Sequence, residues 1–207
     1  MESFLLRVQL FIKNFFDVCL SAVLVVILLP FFLIISLVIK IDSQGPIFFI
    51  QERPGLGGEL FKVYKFRTMN PGSEKMVKGQ EVGLDDDRIT RFGKFLRRYK
   101  IDELPQLFNV LKGEMSLIGP RPERVESLKD YSAETRNRLY MKPGLTGLAQ
   151  VSGNICIPLE HRYKYDVYYV ENFSIWLDIC IIVRTIGVVL RGEGKYVDRQ
   201  LVSLDEL

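Results

Sequence analysis

Histidine is almost missing from this sequence: His161 is the sole example in 207 residues. That scarcity argues against zinc chemistry and against a Ser-His nucleophile pair, both of which depend on imidazole. Only three cysteines occur, Cys19, Cys156 and Cys180, too widely spaced for a metal knuckle. Nor is charge of one sign in excess. The 28 Lys and Arg stand against 25 Asp and Glu, a net charge of +3, so no basic field calls for nucleic acid, and no nucleic-acid partner is expected. Internal repeats and low-complexity tracts are also lacking. Gly55-Leu56-Gly57-Gly58 has the spacing of neither a dinucleotide fingerprint nor a Walker loop, and no helix pattern follows it. What remains is a chain 48% hydrophobic, with room for one medium core and an accessory segment.

The accessory segment comes first. From Val18 to Ile39 there is no charged residue, and about 22 residues at 1.5 Å each can cross a hydrocarbon layer of about 30 Å. The run is too long for a signal-peptide core and no small-residue cleavage site follows. Before it, Phe4, Leu5, Val8, Phe11, Ile12, Phe15 and Phe16 alternate with Arg7, Lys13 and Asp17, an amphipathic lead-in suited to a bilayer interface. Cations flank both ends, so the positive-inside rule assigns no orientation. Pro30 lies near the centre. Length favours a kinked spanning helix, while a helix broken at Pro30 would reach about 18 Å, to mid-membrane, and return as a re-entrant hairpin. The residues alone leave both open.

A small β region follows. Ile47 to Ile50 and Leu60 to Met69 read as strands joined through Arg53-Pro54-Gly55, a hairpin whose period of two puts Lys65 and Arg67 on one face with Phe61 and Val63. The Gly, Pro, Ser and Lys content from Asn70 to Gly83 predicts a surface loop able to close over a substrate. Asp85-Asp86-Asp87 reads as an acidic loop tip, since it lacks a calcium-loop spacing. Arg91 to Tyr99 predicts a basic, aromatic amphipathic helix, for the core or for anionic lipid. Further on, Glu123 to Leu139 is helical in period, Tyr163 to Tyr169 is aromatic enough for an interface, and Ile175 to Leu190 is an apolar helix. Asp178 and Arg184 argue against a second span there, because a charge at the bilayer centre costs about 2.5–3.5 kcal/mol.

The stretch from Arg97 to Pro122 carries the chemistry. Leu104, Leu107, Phe108 and Leu111 repeat at helical spacing, Pro105 is tolerated in the first turn, and Lys112-Gly113 marks the end. A helix from Asp102 therefore holds Asp102 and Glu103 at its amino end. Carboxylates there also serve as caps worth about 0.3–1 kcal/mol. Their neighbours suggest more. Arg97, Arg98 and Lys100 precede the pair, and Gly119-Pro120-Arg121-Pro122 follows as a rigid segment offering a guanidinium for phosphate. Acids able to hold Mg²⁺ beside cations able to hold phosphate suit phosphoryl transfer, which rests on positioning and charge neutralisation.

Five motifs then carry a resemblance: Tyr64-Lys65-Phe66-Arg67-Thr68-Met69, Arg88-Ile89-Thr90-Arg91-Phe92-Gly93, Asp102 to Gly113, Ser116 to Pro122, and Pro143 to Val151. In this order they resemble the bacterial sugar transferases, small monotopic phosphoglycosyl transferases that move a sugar phosphate from a UDP-sugar to polyprenyl phosphate. The resemblance implies Asp102 as nucleophile, with release of UMP, an aspartyl-phosphosugar intermediate and a ping-pong scheme. It implies Mg²⁺ held by Asp102 with Glu103 assisting, and Arg121, Arg97, Lys65 and Arg67 as phosphate-binding cations. It also implies the hairpin break at Pro30, with the lipid bilayer as partner and the cytoplasmic face of the bacterial inner membrane as location. Two departures stand out: Leu29 replaces a serine common before that proline, and Leu148 replaces a common tryptophan. The expected architecture is α+β: a membrane helical hairpin over 1–40, then a mainly helical catalytic domain with a small β-hairpin over 41–207. A phosphohydrolase of nucleotide sugars and a non-catalytic membrane scaffold are the other function classes. Lipid-dependent product formation separates the first from a transferase, and sensitivity to Asp102→Asn separates the second.

Overall fold

Helix α1 runs from Glu2 to Asp42, an apolar stretch without a glycine. The computed structural model describes residues 2–73, 86–191 and 201–207. Pro30 sits inside α1 and the chain stays helical past it, so the helix break expected at Pro30 is not present here. A proline removes one backbone bond, while the flanking apolar turns keep theirs, which are costly to give up away from water. One stripe of α1 packs on the rest of the chain: Lys13, Asp17, Ser21, Phe32 and Ile39 are buried along it, with Leu28 and Ile35 packed between. The other faces are bare. Phe4, Phe11, Val26, Leu33 and Ile41 are all exposed, and only 11% of the apolar window of this helix is covered, unlike the core helix of a soluble protein.

Strands β1 (Phe48–Pro54) and β2 (Leu60–Phe66) form the expected antiparallel hairpin. Phe66 of β2 joins a core shared with Phe32 and Ile39 of α1 and Leu96, while Val63 is buried on the other face of the strand. Helix α2 (Arg91–Arg98) starts at Thr90, whose hydroxyl accepts from the Gly93 amide, as an N-cap should. Leu96 is fully buried, whereas Phe95 stays exposed and stacks on Phe92. Lys100 then turns left-handed into a 3-10 segment, Ile101–Gln106, which leads into α3 (Leu107–Leu111). The helix expected from Asp102 is thus two pieces, its first turn tightened where Pro105 offers no amide. Gly113, at φ 79°, ends it in a conformation glycine adopts freely.

A second sheet was not foreseen: β3 (Ser116–Ile118) pairs in parallel with β4 (Gly144–Thr146). Here glycine is needed for close approach. A Cβ on Gly144 would lie 2.1 Å from the Gly119 nitrogen, and one on Gly147 equally near the Gly119 oxygen. Helices α4 (Leu148–Val151), α5 (Leu159–Glu171) and α6 (Ile175–Arg191) close the second core. Leu148 is fully buried in it, so the tryptophan common at this position has a core counterpart here and no lipid or sugar contact. Tyr165 and Tyr169, expected at an interface, are likewise fully buried.

From Glu123 to Leu139 the expected helix is replaced by two 3-10 turns, Val125–Lys129 and Thr135–Tyr140. Tyr131 turns inward between them, and the Ser132 hydroxyl accepts from the Thr135 amide to start the second. Helix α6 lies along the domain as expected. Asp178 faces the core, while Trp176, Val183 and Leu190 are left exposed on the other side. Most of the loop expected to close over a substrate, and Asp85, lie outside the described residues.

Candidate active site

The two cores meet at a cluster of charge. The 3-10 segment after Lys100 presents Asp102 and Glu103, both buried. From β2, the Lys65 ammonium lies 2.6 Å from Glu103 Oε1. From the loop after β3, Arg121 Nη2 lies 3.2 Å from the same oxygen. Glu103 is therefore saturated on that side by two cations. Burial alone would raise its carboxyl, but Lys65, Arg121 and Lys100 outweigh burial and hold it well below the ordinary range.

Asp102 is in the opposite condition. Its Oδ1 is buried with no hydrogen-bond partner. Burial and the adjacent Glu103 charge push its carboxyl up, against the pull of Lys65, Arg97 and Lys100. Two neighbouring carboxylates with separated proton affinities are the arrangement that lets one group react while the other holds its surroundings. Asp166 Oδ1 is also buried without a hydrogen bond, but Asp166 is ion-paired with Arg138, whereas Asp102 stands where the charges of Lys65, Arg97 and Lys100 converge, the surroundings in which an anionic partner would be held. Two partners fit. One is a phosphorus centre under attack; the other is Mg²⁺, a hard cation usually bound by one or two carboxylates with phosphate oxygens supplying the rest. Among the described residues no group of three or more His, Cys, Asp or Glu side chains gathers, so a metal held here would take most of its ligands from elsewhere than the protein.

The remaining cations separate into those that join and one that does not. Arg97 donates from Nε to Thr68 Oγ1 at 2.9 Å, which sets its guanidinium where it feels the Asp102 charge. Arg67 departs. Strand β2 ends at Phe66, and although the Arg67 amide still donates to the Ile47 carbonyl, the Arg67 side chain turns to the end of α1. Its Nη2 donates instead to the Ser43 carbonyl and hydroxyl, at 2.7 and 2.9 Å, and to the Ile39 carbonyl at 3.3 Å. It caps the end of α1 and does not line the site. Asp86 is likewise occupied, in a paired contact with Arg88.

Arg53 was read only as a turn residue, yet it belongs to the surroundings of this site. Its Nη1 donates to the Pro122 carbonyl, and burial lowers its pKa to about 10, Arg121 and Arg124 adding to the effect against Glu123. Its signal was its place at the end of β1, opposite Phe61. A small cleft beside Arg121 is lined by Pro54, Pro120, Leu139, Met141 and Pro143.

Known proteins share this arrangement of sequence. The signature of the bacterial sugar transferase family matches residues 8–192. The chain is 40% identical over 191 residues to the UDP-N-acetylgalactosamine-undecaprenyl-phosphate N-acetylgalactosaminephosphotransferase of Aeromonas hydrophila, covering 89% of this chain and 45% of that protein. It is 42% identical to the UDP-glucose:undecaprenyl-phosphate glucose-1-phosphate transferase of Xanthomonas campestris pv. campestris, over 87% of this chain and 39% of that one. It is 41% identical to the uncharacterized sugar transferase EpsL of Bacillus subtilis, covering 88% of this chain and 89% of that protein. The chain thus spans less than half the length of the first two relatives.

Proposed function

Since the chain belongs to the bacterial sugar transferase family, we propose that it moves a sugar-1-phosphate from a UDP-sugar to polyprenyl phosphate at a membrane surface. The observation that carries this reading is the split between the two buried carboxylates: Glu103 is held by Lys65 and Arg121 while Asp102 keeps an oxygen without a partner. In the first half-reaction Asp102 Oδ1 attacks the β-phosphorus of the donor. A carboxylate oxygen to phosphorus bond forms, the bridging bond to the α-phosphate breaks, and UMP leaves with the bonding electrons. In the second, a phosphate oxygen of the lipid attacks the same phosphorus and Asp102 departs as a carboxylate. Neither half-reaction consumes water.

Arg121, Lys65 and Arg97 supply the positive surroundings in which the diphosphate is bound and charge is shifted to the leaving phosphate. Glu103 serves mainly by fixing Lys65 and Arg121. Mg²⁺, held at Asp102 and the donor phosphates, would neutralise oxygen charge. The names of the relatives support a nucleotide-sugar donor and an undecaprenyl phosphate acceptor. Placement at the membrane is supported by the exposed apolar faces of α1 and α6. Both halves of α1 touch the same domain, Lys13 through Asp178 and Phe32 through Phe66. That favours a helix that enters and leaves the bilayer on the domain's side, the cytoplasmic face where nucleotide sugars are found.

The test is UMP release from a panel of UDP-sugars, with and without polyprenyl phosphate. A transferase shows sustained release only with the lipid, and Asp102→Asn abolishes it. Sustained release without lipid would mean that water takes the sugar phosphate, and indifference to Asp102→Asn would remove the nucleophile.

A further inference from the structure

The loop that carries Arg121 is pinned at four successive backbone groups. The Gly119 amide donates to the Thr146 carbonyl at 2.9 Å, and the Pro120 carbonyl accepts from the Gly144 amide at 2.8 Å. The Arg121 carbonyl accepts from Arg138 Nη2 at 2.7 Å, and the Pro122 carbonyl from Arg53 Nη1 at 3.4 Å. Two of these partners are backbone amide and carbonyl groups of β4. Arg138 is different, because it is a charged side chain only 2% exposed and far from solvent. It is ion-paired with Asp166, which is 1% exposed, and donates to the Tyr131 hydroxyl. Its guanidinium lies over the Tyr131 and Tyr163 rings at 5.3 and 4.8 Å from their centroids.

A buried ion pair is a poor way to gain stability, since apolar residues of the same volume often serve as well. It does supply a rigid fork of fixed donors. One arm of that fork ends on the backbone of the residue whose side chain meets Glu103. We propose that Arg138 is a positioning residue for the transfer reaction: held by Asp166 and Tyr131, it fixes the Arg121 backbone and so places the Arg121 guanidinium against Glu103 and the donor diphosphate. Arg138 touches no reacting atom and acts only through Arg121. The role rests on the transferase reading given above.

A double-mutant cycle on UMP release in the presence of lipid tests it, using Arg138→Met, Arg121→Gln and the pair, each checked for folding by thermal melting. Misplacement on the scale of an ångström can cost about 100-fold. Arg138→Met is therefore expected to lower kcat about 10- to 100-fold, with KM for the donor changed less than about threefold. In the Arg121→Gln background the same change costs less than about threefold more, because the group it positions is already gone. Arg138→Lys, which keeps the charge and loses the fork, gives the same pattern and replaces the methionine variant if that one does not fold. A kcat that is unchanged in a folded variant, or equal losses with and without Arg121, overturns the positioning role. A wild-type protein that releases no UMP overturns the transferase reading, and the role with it.

Discussion

Two of the buried charged clusters in this molecule differ in one respect. At the junction of α1 with the domain, Lys13 meets Asp178 at 2.8 Å and Asp17 at 3.7 Å. Tyr169 donates to the other Asp178 oxygen, Ser116 and the Leu117 amide donate to the two oxygens of Asp17, and every carboxylate oxygen has a partner. At the second cluster Lys65, Arg121 and Glu103 are joined in the same way, but Asp102 Oδ1 has no partner. A closed polar cluster specifies how elements dock. An open one keeps a group in reserve for a ligand, at a cost to stability that only binding or reaction repays.

Replacing residues in each cluster sharpens the contrast. The largest effect belongs to Asp102→Asn, which lowers UMP release by at least about 10³-fold, as removal of a covalent nucleophile does. Glu103→Gln comes next. It releases Lys65 and Arg121 without removing the nucleophile, and lowers kcat by about 100-fold. In the closed cluster the effect moves from rate to stability. Asp178→Ala leaves Lys13 only its longer contact with Asp17 and the Tyr169 hydroxyl without its acceptor, and destabilises the fold by about 2–4 kcal/mol, read by chemical denaturation, while turnover per folded molecule changes little.

The smallest effect is the most telling, because its sign reverses between neighbours. Asp102 has a folded pKa raised above its unfolded value, so the stability it contributes is present at low pH and is lost as pH rises through the folded value. At neutral pH in EDTA, Asp102→Asn removes that burden and raises the melting temperature. About 1 kcal/mol is worth roughly 2–4 °C in a chain of this size. The gain closes as pH falls into the carboxylate range. Glu103 is shifted the other way, well below its unfolded value, and contributes stability above that value that is lost as pH falls through the folded one. Glu103→Gln therefore lowers the melting temperature at neutral pH. Melting temperatures that fell for both variants would erase the distinction between an open and a closed carboxylate.

Much of the site was legible because it is local. Asp102 and Glu103 share one helical start, Arg121 sits between two prolines, and Lys65 follows from strand alternation; each needs only neighbours in sequence. Arg67 was misplaced because strand alternation says nothing of the acceptors at the end of α1, Ile39 and Ser43, that draw its guanidinium away. Arg53, Arg138 and Asp166 were not seen, since their partners lie 69, 17 and 28 positions away and no periodicity announces such a meeting. The parallel pairing of β3 with β4 escaped for the same reason: three-residue strands carry no pattern. Pro30 shows the reverse case, a strong local signal that the surrounding apolar turns override.

The most direct test of the open carboxylate is the intact mass of detergent-purified protein after incubation with Mg²⁺ and a panel of UDP-sugars, without polyprenyl phosphate. A sugar-phosphate adduct that maps to Asp102 and is discharged by adding the lipid is the predicted result, and its mass identifies the sugar. If no donor gives an adduct while lipid still elicits UMP, the sugar phosphate passes directly from donor to acceptor and Asp102 is not the nucleophile.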